Sequence, residues 1–553
     1  MSAALTGLDD DQRAAAEALL GPVVLLAGAG TGKTRAITHR IAHGVSTGVY
    51  SPKRVMALTF TNRAAAELRG RLRHLGAGEV STRTFHSAAL AQLNFFWPDV
   101  VGGTMPRILE GKARLLGQAA ETLKLKVDTA ALRDLAAEIE WRKVSGLTLD
   151  QYAEAARGRA LPPSVGPDGA VELQRTYERI KDDRRQLDFE DVLLACAGMI
   201  DSEPRVAQQV REQYRFFVVD EYQDVSPLQQ KLLDLWLGDR RDLCVVGDAS
   251  QTIYSFAGAS PSFLLGFQRK HPDATVVRLE RNYRSSTAIV ATANRLMHGR
   301  PGSLELHSVA DPAGAVEPTV ESFQSDAAEA RAIAASIRQQ LDAGERAQDI
   351  AVLYRINVQA SMIGTALDDA GISYHLRGGA RFFDLPEIKQ ALMMLRASAV
   401  AGSPEPLFKT VSDVLRSLGW TQVPPEARAV RDRWEALNAL MTLADGKPKG
   451  TSLRAFADEL FERAAGQHEP TREAVTLATL HSAKGLEWDT VYIAGLTEGL
   501  VPISYASTED AIDEERRLLY VGITRARRRL HLSWARGERR RERQPSRFLA
   551  ELR

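Results

Sequence analysis

The amino-acid sequence predicts an α/β protein made of two halves, each with a parallel sheet and each interrupted by a mainly helical insertion. Short apolar runs alternate with amphipathic segments in two separate stretches of the chain, as parallel strands alternate with crossover helices. The chain has 553 residues, whereas a single hydrophobic core stops growing at about 250–300 residues. More than one domain is therefore expected.

The first half opens with two strand–helix pairs. The predicted segments are the strand at 22–27, the helix at 33–43, the strand at 54–60 and the helix at 64–74. From about 88 to 200 the pattern becomes helical, apart from a loop rich in Pro and Gly at 161–169. Strands return at Phe216–Val219, Leu243–Val246 and Thr275–Leu279. A helical insertion is thus predicted inside the first sheet.

The second half repeats this plan. A strand at 350–353 and a helix at 359–369 precede strands at 475–480 and 490–493, with a mostly helical stretch at 385–467 between them. Breaks within that stretch are predicted at 402–406 and 424–425. The predicted boundaries give the first half residues 1–87 and 196–280, its insertion 88–195, the second half 281–378 and 475–553, and its insertion 379–474.

Composition narrows the class of protein. The 71 Lys and Arg residues are balanced by 70 Asp and Glu residues, so any basic surface must come from local clustering. Cys196 and Cys244 lie far apart without metal-ligand spacing, which argues against a metal site and a disulfide scaffold and fits a reducing compartment. No secretory leader and no apolar run of membrane-spanning length are evident. We therefore expect a soluble cytoplasmic protein without a membrane partner.

A glycine-rich turn between the first strand and helix predicts a phosphate site. It reads AGAGTGKT and comprises Ala27, Gly28, Ala29, Gly30, Thr31, Gly32, Lys33 and Thr34. Glycines let successive backbone N–H groups point at one phosphate, and the helix adds its positive end. Lys33 can reach the β- and γ-phosphates of ATP, and Thr34 can hold Mg²⁺. An ordinary glycine-rich turn is the less favoured interpretation.

Two carboxylates follow a buried strand in the stretch FFVVDEYQD. The carboxyl edge of an open parallel sheet is where ligands bind. Asp220 suits Mg²⁺ coordination, and Glu221 suits orienting and deprotonating an attacking water. Paired with the glycine-rich turn, these residues predict nucleotide hydrolysis.

Eight further stretches resemble the UvrD/Rep/PcrA family of superfamily 1A helicases in order and spacing. They are LTFTNRAAAEL from Leu58, TFHS from Thr84, LDFEDVLL from Leu187, VVGDASQTIYSFAGA from Val245, LERNYRSS from Leu279, the segment from Ile350 to Glu387, TLHSAKGLEWD from Thr479 and EERRLLYVGITRA from Glu514. The resemblance runs from Gln12 to Phe548. It implies two RecA-like P-loop NTPase domains and an ATP-driven motor that moves on single-stranded DNA.

The resemblance assigns nucleotide roles to matching positions. Gln12 would bind adenine between Arg35 and Tyr283, and Glu487 would bind the ribose. Gln251 would sense the γ-phosphate. Arg284 and Arg525 would act as arginine fingers from the second half, because a planar permanent cation stabilises charge on the transferred phosphoryl group. Outside such motifs, a surface salt bridge would be the ordinary interpretation of any single Arg or Glu among these residues.

The resemblance also implies a DNA track. Aromatic residues at matching positions are Phe60, Phe85, Tyr254 and Phe256, and the polar or charged ones are Thr61, Asn62, His86, Arg355, Asn357 and His481. Aromatic faces stack on any base without reading sequence. Since a lone aromatic usually packs in a core, Tyr254 and Phe256 are the favoured pair. They follow the γ-phosphate sensor directly and could couple nucleotide state to base stacking.

Three departures from the family pattern bear on whether the motor unwinds duplex DNA or mainly moves along a single strand. The insertion between Gly379 and Val475 is short, and the hairpin at 534–545 has Arg539–Arg541 where the family places an aromatic pin. Phe256 and Ala257 replace a Trp and a DNA-contacting Arg. The basic stretch 536–543 is interpreted equally as a solvated turn or a phosphate contact.

The sequence therefore predicts a 3′-to-5′ DNA helicase that uses ATP and Mg²⁺ and acts on single strands and single-strand/duplex junctions. DNA repair or replication restart, with partner proteins from those processes, is the expected setting. The alternative is a single-strand translocase that displaces bound proteins and unwinds poorly without a partner. A catalytically inactive DNA-binding scaffold is disfavoured by the intact nucleotide residues.

Overall fold

The computed structural model describes residues 3–159, 161–162, 164–309, 311–377, 383, 385–401, 405–422, 428–445, 447–448, 450–466, 473–537 and 542–552. The chain forms two compact units. Unit 1 comprises residues 1–280 and 299–305, and unit 2 comprises 281–298 and 306–553.

Unit 1 is built on a six-stranded parallel sheet. Its strands are β1 (Val23–Ala27), β2 (Val55–Thr59), β3 (Ser81–Thr84), β4 (Phe216–Val219), β5 (Leu243–Gly247) and β6 (Thr275–Leu279). They lie in the order β3-β2-β4-β5-β1-β6. In register, Val24 lies between Val245 and Val276, and Val55 lies beside Phe216. The predicted parallel sheet is confirmed.

Both faces of this sheet are buried, which explains why its strands read as continuous apolar runs. Successive residues of β1 point to opposite faces. Val24 packs in one hydrophobic core, and Val23 and Leu25 pack in the other. Helices cover the two faces and supply the remaining core residues.

The α-helices of unit 1 include a long series between β3 and β4. In chain order they are Asp10–Glu17, Lys33–Ser46, Asn62–His74, Phe85–Val100, Ala113–Thr122, Thr129–Val144, Leu149–Ala156, Gly166–Asp183, Phe189–Ser202, Pro204–Gln213, Pro227–Leu237, Ser262–Leu265 and Phe267–Lys270. Two-residue strands at Arg107–Ile108 and Gln186–Leu187 pair within the predicted helical stretch. A separate core around Leu116, Ile139 and Tyr177 holds several of these helices together.

Unit 2 contains a second six-stranded parallel sheet. Its strands are β7 (Thr319–Phe323), β8 (Ile350–Tyr354), β9 (Tyr374–Leu376), β10 (Val475–Thr479), β11 (Trp488–Ile493) and β12 (Ala526–Ala535), in the order β7-β12-β11-β8-β10-β9. Its α-helices are Thr287–Met297, Asp326–Asp342, Val358–Asp369, Pro386–Ala401, Leu407–Ser417, Arg428–Asp445, Leu453–Gly466, Glu509–Ile523 and Arg547–Glu551.

The four helices between 386 and 466 share a hydrophobic core of their own. Ile388, Val411, Leu440 and Phe456 are buried in it. Of the residues predicted to break this stretch, 402–404 and 424–425 lie outside the described residues, as do Arg539, Arg540 and Arg541.

The apolar strands were predicted within a few residues, but the polar ones were not. β3 reads STRT and is a sheet edge, while β12 carries three successive arginines. Arg527 and Arg528 pair with Asp489, and Arg529 pairs with Glu345, so their charges are compensated beside the sheet.

No helix in the described ranges combines the length and apolarity needed to cross a membrane.

Candidate functional site

The glycine-rich turn joins β1 to the helix that begins at Lys33. Gly30 and Gly32 adopt φ of 70° and 80°, in the left-handed region that favours glycine. A Cβ at Gly32 would lie 2.7 Å from Nε2 of Gln12, so the turn also needs glycine for space. The Thr31 hydroxyl donates to the Gly28 carbonyl at 2.9 Å, and Gly28 N–H donates to the Leu279 carbonyl at 3.2 Å. These bonds fix a cradle at the carboxyl edge of the sheet.

Gln12 and Arg35 flank this cradle. The Gln12 side chain is buried, and its Nε2 donates to the Thr31 carbonyl at 3.0 Å. Arg35 donates to the Gly7 carbonyl at 2.6 Å. The structure thus brings Gln12 and Arg35, two of the three predicted adenine-binding residues, to the edge of the cradle.

Lys33 points into the cradle region without a full set of partners. Its Nζ is buried and donates a hydrogen bond to no described residue. Glu221 Oε1 lies 3.8 Å away, at the outer limit of an ion pair. A buried ammonium with unused donors at the start of a helix fits a phosphate-bearing ligand.

The two predicted carboxylates lie together after β4. The Asp220 N–H donates to the Leu58 carbonyl, and Asp220 Oδ1 accepts the Glu221 N–H, both at 2.9 Å. Burial, reinforced by the Glu221 carboxylate, raises the pKa of Asp220 to about 7. A divalent cation would favour the ionised form of this carboxyl.

Asp220 and Thr34 supply oxygen atoms of the kind that Mg²⁺ prefers as ligands. Thr34 lies in the first turn of the helix that begins at Lys33. Within the described ranges, no cluster of three or more His, Cys, Asp or Glu side chains could hold a metal alone. Mg²⁺ is commonly held by one or two carboxylates plus phosphate oxygens, which matches Asp220 and Thr34 beside the cradle.

A hydrogen-bonded chain of side chains links Glu221 to Gln251. Gln223 Nε2 donates to Glu221 Oε2 at 2.5 Å, and Gln223 Oε1 accepts the Asp248 N–H at 3.0 Å. Asp248 Oδ2 in turn accepts from Gln251 Nε2 at 2.7 Å. We call Glu221, Gln223, Asp248 and Gln251 the relay.

The sequence analysis did not identify Gln223 or Asp248 as functional residues. Gln223 is fully buried, and a Cβ at Gly247 would lie 2.6 Å from its Oε1. The signal that could have found them was the position of both polar residues just after a buried strand at the carboxyl edge.

Three of the predicted DNA-binding aromatics form one surface group in unit 1. Phe60 stacks on Tyr254 with a centroid distance of 5.5 Å, and Tyr254 meets Phe256 edge-to-face at 6.0 Å. Phe60 is 41% exposed and Phe256 is 62% exposed. Thr61 and Asn62 are exposed next to Phe60, where the Thr61 hydroxyl caps the following helix. Accessible rings beside a helix N-terminus suit a nucleic-acid strand.

Phe85 and His86 face different environments. Phe85 is buried and stacks on Trp236 at 5.9 Å, so its ring packs in the core rather than facing solvent. His86 stacks on Phe189 at 3.8 Å, and Phe189 is 54% exposed. Phe189 is therefore an accessible aromatic that the sequence analysis did not single out. Burial, aided by the Lys112 ammonium, lowers the pKa of His86 to about 4.

Unit 2 holds its predicted nucleotide residues in a separate group. Arg284 Nε lies 2.5 Å from Glu487 Oε2, and its Nη1 donates to the Thr524 carbonyl at 3.2 Å. Arg525 is buried and donates to the carbonyls of Val521 and Leu486, each at 3.0 Å.

Two further features complete this group. Burial opposes ionisation of Glu487, but the charges of Arg284 and Arg527 outweigh it and lower the pKa of that carboxyl. Tyr283 is half exposed. Unit 2 thus places an accessible aromatic next to a guanidinium that is already paired.

The predicted DNA-binding residues of unit 2 surround the end of β8. Arg355 forms a bidentate ion pair with Glu515, with Nε–Oε2 and Nη2–Oε1 distances of 3.0 and 2.8 Å. Asn357 is exposed. Burial, followed by the charges of Arg355 and Lys484, lowers the pKa of His481 to about 4. Asn357 is the most accessible of the three.

Comparison with known proteins identifies the family. Residues 8–272 match the UvrD/REP helicase N-terminal domain, and residues 277–425 and 425–537 match the UvrD-like helicase C-terminal domain. The chain is 45% identical to the ATP-dependent DNA helicase UvrD2 of Mycobacterium tuberculosis, over 99% of this chain and 81% of that protein.

More distant relatives agree. The chain is 30% identical to DNA helicase II of Escherichia coli, over 99% of this chain and 88% of that protein. It is 28% identical to the ATP-dependent DNA helicase PcrA of Bacillus subtilis, over 99% and 86% respectively. With the phosphate cradle and the carboxylate pair at one sheet edge, these matches lead to a single conclusion: the chain belongs to the UvrD-like helicase family.

Proposed function

We propose that this chain is an ATP-dependent 3′-to-5′ DNA helicase that moves along single-stranded DNA and separates duplex in DNA repair or replication restart. The observation that carries the proposal is the buried Lys33 ammonium, which donates to no described residue and faces Glu221 across 3.8 Å. A cation left unsatisfied in this way is stabilised when an anionic phosphate arrives.

Unit 1 supplies the groups that bind and hydrolyse ATP. Lys33 and the N–H groups of the glycine-rich turn hold phosphate oxygens, and Asp220 with Thr34 holds Mg²⁺. When bound, Mg²⁺ supplies positive charge beside those oxygens. Glu221 orients the attacking water and takes its proton. Gln251 reports on the γ-phosphate, and the relay connects it to Glu221.

Unit 2 supplies the second group of nucleotide residues. Its Arg284 and Arg525 stabilise charge on the transferred phosphoryl group, while Glu487 and Tyr283 contact ribose and adenine. In this proposal the units carry the two RecA-like domains, with helical insertions at 88–195 and 379–474. In this proposal hydrolysis depends on residues from both domains.

The DNA track uses the exposed aromatic group of unit 1 and the residues around β8 in unit 2. Phe60, Tyr254 and Phe256 stack on bases without selecting sequence. Tyr254 lies three residues after the relay member Gln251, so a shift of the relay can pass to the stacking surface. This arrangement supports stepping along a strand in response to hydrolysis.

The decisive experiment measures ATP hydrolysis with and without single-stranded DNA, and then unwinding of duplexes with a 3′ or a 5′ tail. We expect DNA-stimulated hydrolysis and unwinding from the 3′ tail only. Hydrolysis that does not respond to DNA would contradict the proposal, and unwinding from the 5′ tail would reverse the polarity.

The second candidate is a translocase that displaces bound proteins and unwinds poorly alone. The observation that favours it is the compact insertion of four helices between 386 and 466. Stimulated hydrolysis and displacement of streptavidin from a biotinylated strand, without unwinding of either tailed duplex, would select this candidate.

A further inference from the structure

A cleft rich in arginine opens at the edge of the unit 1 sheet opposite the phosphate cradle. It has a volume of about 430 Å³ and is lined by Arg54, Arg211, Arg215, Arg240 and Arg241, with two carboxylates, Glu212 and Asp242. Arg54 precedes β2, Arg215 precedes β4, and residues 240–242 precede β5. These three strands are neighbours in the sheet, so the amino ends of adjacent parallel strands bring the arginines together.

The arginine at the base of the cleft has a structural role. Arg240 donates to the carbonyls of Trp236 and Leu237, at 2.7 and 3.1 Å, and to those of Arg211 and Tyr214. These carbonyls lie at or near the C-terminal ends of two helices, where a cation is stabilised. Arg240 therefore holds the base of the cleft together through backbone carbonyls, and its charge is not neutralised by any described carboxylate.

The surrounding arginines keep donors available. Arg54 is exposed and makes no ion pair with any described residue. Arg215 is 53% exposed and pairs with Asp242 through Nε alone, at 3.2 Å. Arg211 uses Nε and Nη2 on the Leu235 carbonyl, which leaves Nη1.

The positive charge of the cleft is only partly compensated. Asp242 pairs with Arg215, and Arg241 pairs with Asp273 outside the lining. Glu212 is exposed and accepts from Gln208 rather than from an arginine. Burial, followed by the charges of Arg211 and Arg215, lowers the pKa of Arg240. A bound anion would relieve this crowding of cations.

We infer that this cleft is a second anion site, which takes a phosphate-bearing ligand through Arg54, Arg211 and Arg215. Guanidinium groups bind phosphate in a planar, bidentate manner. No aromatic side chain lines the cleft, so its ligand is held by charge and not by base stacking. The expected ligand is the phosphate backbone of a second DNA segment, separate from the strand that stacks on Phe60, Tyr254 and Phe256. This choice of ligand rests on the proposed function.

The test uses Arg54→Glu, with the milder Arg54→Ala beside it. Arg54 is exposed and unpaired with any described carboxylate, so both variants are expected to fold. Arg331→Glu is the matched control, because Arg331 is an exposed arginine on a helix of unit 2. Fluorescence anisotropy follows binding of a single strand and of a 3′-tailed duplex across a salt series.

For a DNA source, Arg54→Glu weakens binding of the tailed duplex about fivefold at low salt. It also reduces the salt slope by about 1 for each phosphate group that the variant no longer binds. Single-strand-stimulated ATP hydrolysis and Arg331→Glu binding stay at wild-type values.

A second arm titrates inorganic pyrophosphate by calorimetry, with the nucleotide site filled by a non-hydrolysable ATP analogue. Unchanged DNA binding together with a pyrophosphate signal that Arg54→Glu abolishes would support the cleft and identify a free phosphate ligand. If Arg54→Glu binds both tailed duplex and pyrophosphate as the wild type does, the inference is overturned. A wild-type chain whose hydrolysis ignores single-stranded DNA would contradict the proposed function, while the pyrophosphate arm would still decide the cleft.

Discussion

The two units hold the cations that are predicted to act on the nucleotide with different sets of partners. In unit 1, the Lys33 ammonium is buried and donates to no described residue. In unit 2, Arg284 is paired with Glu487, and Arg525 donates to the carbonyls of Val521 and Leu486. Lys33 can bind an anion with donors that are not in use. Arg284 and Arg525 must share or exchange their present partners before they bind an anion. In the proposed mechanism, phosphate binding therefore belongs mainly to unit 1 and control of hydrolysis to unit 2.

Removal of the Lys33 ammonium should have the largest effect. We expect Lys33→Ala to lower kcat for ATP by about 10³-fold, because a charge-stabilising donor in a buried site is removed. The thermal midpoint should not fall, since the buried charge leaves with the side chain.

The control for this variant is Lys53→Ala, at an exposed lysine outside the cradle. Hydrolysis near the wild-type rate in Lys33→Ala would remove the proposed phosphate site.

Replacement of Arg284 by lysine tests the paired state in unit 2. Arg284→Lys keeps the charge but loses the planar fork, so kcat should fall by about 10²-fold with little change in KM. Glu487→Gln weakens the pairing from the other side and should leave more activity than Arg284→Lys. Steady-state kinetics at saturating DNA, with Arg331→Lys as control, make the measurement. A rise in KM alone would show that Arg284 binds ground-state nucleotide instead.

Loss of the relay should have a smaller effect. Gln223→Leu removes the bonds to Glu221 and Asp248, each worth about 1 kcal/mol. The loss of both should lower DNA-stimulated kcat about 30-fold. Gln230→Leu is a matched control, because Gln230 is also buried but bonds Tyr222 and Asp234 outside the relay. Equal losses in both variants, measured per folded molecule, would mean that Gln223 acts on stability alone.

The smallest expected effect is on the pH dependence of thermal stability, to which one histidine of each unit contributes in the same direction. The pKa values of His86 and His481 are both lowered to about 4, against about 6.5 in an unfolded chain. Their neutral forms stabilise the fold above about pH 6.5, and that contribution is lost as pH falls toward 4. His86→Gln should therefore flatten the decline of thermal midpoint between pH 6.5 and 4.5, whereas His307→Gln, at an exposed position, should not.

Elements that depend on local sequence could be predicted. Contacts between residues far apart in the chain could not. β1, the glycine-rich turn and the helix from Lys33 follow each other directly, so apolar pattern and motif place them. β3 was missed because its residues, Ser81–Thr84, carry no apolar alternation. β12 was missed although Leu530, Leu532 and Trp534 alternate with polar residues, because three arginines precede them. The relay joins Gln223 to Asp248, and the arginine cleft joins Arg54 to Arg240, through a sheet order that local patterns do not give.

The candidate site shows the same division. The sequence indicated the residues of the cradle and the carboxylate pair, and the structure places Lys33, Asp220 and Glu221 at one sheet edge. Phe85 matched the family motif, yet its ring stacks on Trp236 in the core. A motif match gives the position along the chain, but burial depends on the helices that pack around it.

At Glu221, the backbone conformation is strained for a residue that carries a side chain. Its φ of 53° lies in the left-handed region, which costs a non-glycine residue about 1–2 kcal/mol. Glycine at this position would relieve the strain, but in the proposed mechanism it would also remove the carboxylate that orients water. Selection for turnover therefore keeps a strained residue here, and selection for an unstrained backbone alone would lose it.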